Sequence, residues 1–422
     1  MKRWAAVLLL TVPAWGEPLT LAQALAAVDK LSPAVQEARL RTLEQESRAL
    51  VERSGLGPQL NVSIGGSYQT TNLQGIGLTF PGVPSRIGPY GVFDARPRVT
   101  QTVLDLSMMS RWRAARERTG QLDAEAGTVA ERTREAVIEL YLQALMAESQ
   151  ARAGAARVET AGTVLAQTRD AEQAGTANKL DLARAAQVRE SEQARLVLLR
   201  RDRDSVITLL KRTIGMGQGP AIELVEVQAR EMGAVSLSQA LELRPEIRAL
   251  WAKQRSLTEE KRAAQRERWP KVGAFGDYGV LGQSPVNAVS TYTVGGSLNV
   301  PVWTSGRIEN GIKAAQFRLD QWEQEKRSME LQVEQELVDA RQNREAAAEA
   351  LKSASKATKE AREALELARL RYGAGLATNL DVVTAQGNLA ETEEQEIRTR
   401  YEGLLAGARL ARAGGDVMAF VR

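Results

Sequence analysis

The chain has 422 residues, 43% hydrophobic but only 5% aromatic and 26% charged, a balance that fits long Ala-rich helices better than a compact α/β enzyme. It contains no cysteine and no histidine, which removes disulfides, zinc fingers, thiol nucleophiles and every Ser-His-Asp or Cys-His arrangement. Its 56 basic and 52 acidic residues are interspersed, so no basic stripe marks a nucleic-acid groove and no nucleic acid is expected as a partner.

Lys2 and Arg3 precede an apolar run from Trp4 to Val12, and Ala14-Trp15-Gly16 places small residues where a signal peptidase reads. Residues 1–16 are therefore expected to be a signal peptide, since the run falls far short of the ~20 residues of a spanning helix. No later stretch approaches that length, and no cysteine follows the cleavage site to carry a lipid anchor. A membrane location would then have to be reached as a β-barrel.

The remainder is written twice, as a first copy over residues 17–214, a connector over 215–235, and a second copy over 236–422. Leu21-Ala22-Gln23-Ala24-Leu25 recurs as Leu237-Ser238-Gln239-Ala240-Leu241, and each is followed by a proline, Pro33 or Pro245. AEQAGTANKLDLARAA from Ala171 aligns with RYGAGLATNLDVVTAQ from Arg371, sharing Gly175/Gly375, Leu180/Leu380 and Asp181/Asp381. Each copy reads helix, strand, strand, long helix, turn, helix.

In the first copy the hairpin falls at about 60–104. Leu60, Val62, Ile64, Gly66 and Tyr68 alternate with polar or small residues, and the partner strand, from about Ala95, carries Arg96, Arg98, Thr100 and Thr102 on one face. The second hairpin falls at about 271–302. There Val272, Ala274, Gly276, Tyr278 and Val280 alternate with Gly273, Phe275, Asp277 and Gly279, and Tyr292, Val294, Gly296 and Leu298 follow the same rule. About ten residues is the length of a tilted transmembrane strand. Tyr68, Phe93, Tyr278 and Tyr292 lie near the hairpin ends and Trp269 and Trp303 near the helix-side ends, as two aromatic girdles would. The segments Leu73 to Tyr90 and Gly282 to Ser290 read as loops. A half-buried hairpin in a soluble protein alternates in the same way, and the flanking helices favour the barrel.

Four strands cannot close a useful barrel and lipid tolerates no open edge, so several chains must pool their hairpins. Three copies give twelve strands, and a cyclic homotrimer is the simplest closure. From about Leu106 to Ala174 and from Ile308 to Tyr372 no proline interrupts a helical pattern, which allows each helix about 100 Å. Ile312, Ala315, Leu319, Trp322, Met329 and Val333 keep the spacing of a coiled-coil seam. Each long helix meets a Gly-containing turn, at about 175–178 or 375–378, and returns as Leu180 to Ile214 or Leu380 to Ala411.

The repeat, the LTLAQALAAV opening at Leu19, the strand-to-helix junctions and above all RYGAGLATNLDVVTAQ make the chain resemble the outer-membrane efflux proteins of the TolC family. The resemblance covers essentially all of the chain after residue 16. It implies an α+β membrane protein, a homotrimeric twelve-stranded β-barrel with four strands per chain that continues into a long periplasmic α-helical barrel. The implied function is an outer-membrane exit duct of a tripartite efflux pump or a type I secretion system, without catalysis, cofactor or bound metal. Its partners would be outer-membrane lipid, a periplasmic membrane-fusion adaptor and an inner-membrane transporter. The competing class is a secreted periplasmic coiled-coil scaffold or adaptor.

The resemblance also implies residue roles. Gly175-Thr176-Ala177 and Gly375-Leu376-Ala377 match the tip segments that meet the adaptor. Asp381 matches the aspartate that narrows the tunnel mouth, and Asp181 and Tyr372 match positions that hold the tip closed. Thr384 stands where many members carry a second acid, and Ala377 where some carry a base. Thr102 stands in the first copy where Pro301 stands in the second. Independently of any family, Asn178 to Asp181 and Thr378 to Asp381 each read as an N-cap followed by an acid at N3, and each turn glycine can supply positive φ. Arg96, Arg98 and Asp277 are the candidate lumen-facing charges.

Overall fold

The computed structural model describes residues 18–79, 81–175, 177–217, 222–227 and 235–421. The expected signal peptide, Thr176 and much of the connector lie outside the described residues.

The two copies begin alike because the same physics starts them. Thr20 caps α1 (Leu21–Leu31) and Ser236 caps α5 (Leu237–Leu243), each in a full capping box with the glutamine three residues on. Pro33 and Pro245 cannot continue those helices, and they hold Ser32 and Arg244 extended before α2 (Pro33–Ser54) and α6 (Pro245–Arg266) begin. The long helices are α3 (Leu106–Gln173) and α7 (Arg307–Gly373), of 68 and 67 residues or about 100 Å each. The returning helices are α4 (Lys179–Ile214) and α8 (Asn379–Ala413), of 36 and 35 residues.

The connector is less irregular than its composition suggests. Within it β4 (Glu223–Leu224) pairs in parallel with β1 (Pro18–Leu19), a two-residue ladder too short to leave any period in the sequence. Tyr141, fully buried on α3, staples this ladder. Its hydroxyl lies 2.7 Å from the Leu19 carbonyl and 2.8 Å from that of Val225, which share its proton, and it accepts the Val225 N–H at 3.0 Å. Burial pushes the hydroxyl up to about 12.

The chain forms two compact units that do not coincide with the two sequence copies. One unit comprises the described residues within 1–40, 125–248 and 327–422. Its core gathers Leu21, Leu25, Val28, Val137, Ile138, Leu142 and Leu145 with Leu210, Ile214, Leu404, Val417 and Phe420, so both copies contribute. The other comprises 41–124 and 249–326. There two members of the expected seam, Ala315 and Trp322, are buried, and Trp322 donates its indole N–H to the Leu250 carbonyl at 2.8 Å while packing 5.7 Å from Trp251.

The second unit also holds the sheet, in the order β2-β3-β5-β6 and antiparallel throughout. β2 (Pro58–Asn72) and β3 (Arg86–Leu104) are longer than the ten-residue alternation indicates. Arg86 to Tyr90, expected in a loop, extend β3 and pair as far as Asn72↔Arg86. The pattern hides this because the register shifts between Gln69 and Thr71, opposite Gly88 and Pro89, where the alternation breaks and Pro89 offers no N–H. β5 (Lys271–Gly282) and β6 (Val289–Asn299) lie as expected, and β6 stops two residues before Pro301. At the strand-to-helix junction Asp105 accepts the Met108 N–H at 2.9 Å and lies 3.4 Å from Lys271.

Candidate functional site

Two regions carry the residues that the sequence marks. The first is the sheet, whose faces differ in kind. Leu60, Val62, Ile64, Tyr68, Tyr278, Tyr292, Val294 and Leu298 share one face and are all exposed. The registers Val62↔Pro97, Gly276↔Val294 and Tyr278↔Tyr292 keep that face apolar across the sheet, and a solitary exposed sheet of this kind demands a cover. No helix of the described chain is long and apolar enough to cross a membrane.

The opposite face carries the charges. Arg96, Arg98 and Asp277, the three candidates from the sequence, come together there. Asp277 is the cross-strand partner of Arg98 and lies 3.4 Å from Arg96 and 3.9 Å from Arg98. Two further members escaped the sequence reading. Asp94 accepts from Arg96 Nε at 2.6 Å, and Phe275 lies with its centroid 5.0 Å from the Arg98 guanidinium carbon. Both stand two positions along a strand from a residue already marked, which is the signal that finds them.

The second region is the pair of helix turns, α3 to α4 and α7 to α8. Gly175 and Gly375 have φ of 77° and 72°, so each closes its long helix as a left-handed residue that a side chain would disfavour. Their N–H groups return to the carbonyls of Glu172 and Tyr372 at 3.0 Å, and the Leu376 N–H reaches Arg371 at 2.8 Å. Leu376 is left 71% exposed, while Ala177 and Ala377 are half-buried.

The two N-caps differ. Thr378 and Asp381 form a complete box, in which the carboxylate accepts the Thr378 N–H at 2.7 Å and its hydroxyl at 2.8 Å. Those bonds hold the exposed Asp381 carboxyl below its usual range. At the other turn Asn178 accepts the Asp181 N–H at 2.9 Å, but the Asp181 carboxylate lies 3.9 Å from Arg184 instead of closing the box. Tyr372, Asp181 and Asp381 make no bond to one another among the described residues. The turn adds a residue that sequence reasoning missed: Asn379 is buried and its Nδ2 has no hydrogen-bond partner among the described residues.

Above the turns, α3, α4, α7 and α8 enclose a groove of about 740 Å³. Its walls carry the ion pairs Arg157 with Glu192 at 3.1 Å and Arg362 with Glu393 at 3.2 Å. No group of side chains suited to hold a metal ion is present among the described residues.

Solved channels share this combination of long helical hairpins and a small antiparallel sheet. The CmeC outer membrane channel of Campylobacter jejuni superposes with a TM-score of 0.80 over 94% of this chain and 85% of that one, at 16% identity. The open state of the MtrE outer membrane channel of Neisseria gonorrhoeae gives 0.79 over 94% and 89%, at 19% identity. The outer membrane protein VceC of Vibrio cholerae gives 0.79 over 94% and 96%, at 16% identity. In sequence, the chain is 22% identical over 285 residues to the pyoverdine export outer membrane protein OpmQ of Pseudomonas putida, a match that takes in 66% of this chain and 61% of that relative's length. The family model for the outer membrane efflux protein matches residues 24–215 and 236–416, and the chain belongs to that family. It is a protein of the outer membrane that extends into the periplasm, in a family of channels rather than enzymes.

Proposed function

We propose that the chain is the passive exit duct of a tripartite efflux pump or a type I secretion system, fed by a periplasmic membrane-fusion adaptor and an inner-membrane transporter. The observation that carries the reading is the sheet: four strands with an exposed apolar face and with β2 and β6 each free along one edge. Open edges cannot remain in lipid. Joining β6 of one copy to β2 of the next, three times, closes a twelve-stranded homotrimeric barrel with the apolar face outward and the charged face inward. Cross-linking and native mass measurement in mild detergent should find three chains, and a stable monomeric pore would sink the closure argument.

In the same reading the turn segments Gly175 to Ala177 and Gly375 to Ala377 meet the adaptor, with exposed Leu376 as their apolar contact. Three copies of Asp381 line the tunnel mouth, where their mutual repulsion leaves closure to neighbours such as Asp181 and Tyr372. The capping box is compatible with this second role, since Asp381 stays exposed while it accepts from Thr378. Asp381→Asn should therefore reduce block by divalent cations in planar-bilayer recordings with little loss of assembly. Identical block curves for wild type and variant would leave Asp381 as a cap alone.

A further inference from the structure

The four clustered charges on the charged face of the sheet, Asp94, Arg96, Arg98 and Asp277, are not equivalent. Arg96 is fully engaged: two of its nitrogens bond Asp94, one at 2.6 Å, and a third donates to Asp277 at 3.4 Å. Gly279 permits this, because a Cβ there would stand 2.4 Å from Arg96 Cγ and 2.2 Å from the Ala95 carbonyl oxygen. The arginine stem crosses the strand where a side chain is missing. Asp277, held from both sides, is only 7% exposed.

Arg98 has the opposite situation. It makes no hydrogen bond among the described residues, its nearest carboxylate oxygen is 3.9 Å away, and its side chain is 53% exposed. What fixes it is the ring of Phe275, 5.0 Å below its guanidinium carbon. Phe275 in turn lies over Gly295, where a Cβ would stand 2.7 Å from the ring. Glycine, ring and guanidinium form a stack, with the cation on its open side. Although the four charges sum to zero, the carboxylate beside Arg98 is covered and its guanidinium is presented.

We infer that Arg98 is an anion-contact station in the conduction path, a residue that selects for carboxylate, phosphate or sulfonate groups on a passing solute. A planar guanidinium stacked on an aromatic ring keeps its N–H fork free and pre-oriented, which is the geometry that receives such groups through paired bonds. In a closed trimer three copies stand at one level of the barrel. The inference rests on the duct reading, in which this face lines the lumen.

The absence of native cysteine makes the local potential measurable. Asn61, exposed and directly opposite Arg98 across the β2–β3 pair, is the position for a single Asn61→Cys reporter. The assembled protein in vesicles is treated from the barrel side with an anionic sulfonate and a cationic trimethylammonium methanethiosulfonate. The ratio of their labelling rates, normalised to a free thiol, is compared with and without Arg98. One charge about 6 Å away in water, with a Debye length near 10 Å, changes that ratio by about three- to tenfold. The ratio should fall by that factor in Arg98→Gln and in Arg98→Met, whose stem still covers Phe275, and should be kept in Arg98→Lys. An unchanged ratio in the two neutral variants, with trimer assembly intact, overturns the role of Arg98 while leaving the duct standing. If neither reagent reaches the reporter in the assembled protein although both label it after denaturation, the face does not line a wet lumen and the duct reading falls with it.

Discussion

Arg244→Ala should destabilise the helical unit by about 2–4 kcal/mol, the size expected when a buried carbonyl loses its donors and a buried side chain leaves a cavity, since the ion-pair partner Glu336 is itself 42% exposed. Arg244 is 2% exposed, yet it carries a full charge. Its Nε and one Nη donate to the Ala413 carbonyl at 3.1 and 2.9 Å, closing the end of α8, and its other Nη bonds Glu336 on α7 at 2.6 Å. Truncation leaves the carbonyl without its donors and opens a cavity the size of the arginine stem. Burial by itself would raise the Glu336 carboxyl, but the bonds from Arg244 and Gln332, together with the charges of Arg244 and Arg412, outweigh it and hold the group below its usual value. A carboxylate depressed in the fold adds stability above its unfolded pKa, and that stability is lost as pH falls through the folded pKa. The penalty of Arg244→Ala should therefore shrink in acid as Glu336 takes its proton. Denaturant unfolding followed by circular dichroism at neutral and acidic pH measures both effects. A loss below about 1 kcal/mol at neutral pH would mean that the unit tolerates an unanchored α8.

That arginine also shows where sequence reading stops. Pro245 makes the break between α5 and α6 legible, and the residue before a proline is pushed into the extended conformation, as Arg244 is. Nothing in a one-dimensional pattern says that two other helices will close over its side chain. The first copy places a small Ser32 at the equivalent point, so the repeat itself gives no hint of a buried charge. The helix ends, by contrast, are written locally: Thr20, Ser236, Asn178 and Thr378 cap the helices that their sequences announce. The sheet lies between these cases. Alternation marks which residues share a face, but it fails at Gly88-Pro89 and says nothing of the pairing of β3 with β5, which joins the two copies into one sheet. The cluster of Arg96, Arg98 and Asp277 is legible as a common face, and the unequal engagement of its two arginines is not. That inequality depends on Gly279 and Gly295, whose missing side chains make room for Arg96 and Phe275.

Val294→Lys should cost about 2–4 kcal/mol of folding free energy in lipid, whereas Thr293→Lys, one residue away, should be tolerated. The contrast follows from the pleat, which sends neighbouring residues to opposite faces. Val294 lies opposite Gly276 on the apolar face and is 78% exposed, with no part of the described chain to cover it. In a closed barrel its cover is hydrocarbon, where an ammonium near mid-strand loses its hydration and finds no counter-charge. Thr293 lies opposite Asp277 on the charged face, so in the closed barrel a lysine there keeps its water. Ile64→Lys on β2 should behave as Val294→Lys does, since Ile64 shares the exposed apolar face at the other edge of the sheet. Folding into vesicles, scored by the heat-dependent mobility of the trimer and by denaturant titration, separates the outcomes. Equal sensitivity at 293 and 294 would mean that neither face touches lipid. The opposite order of sensitivity would put the charged face outward, and the barrel would have to be rebuilt around the other side of the same sheet.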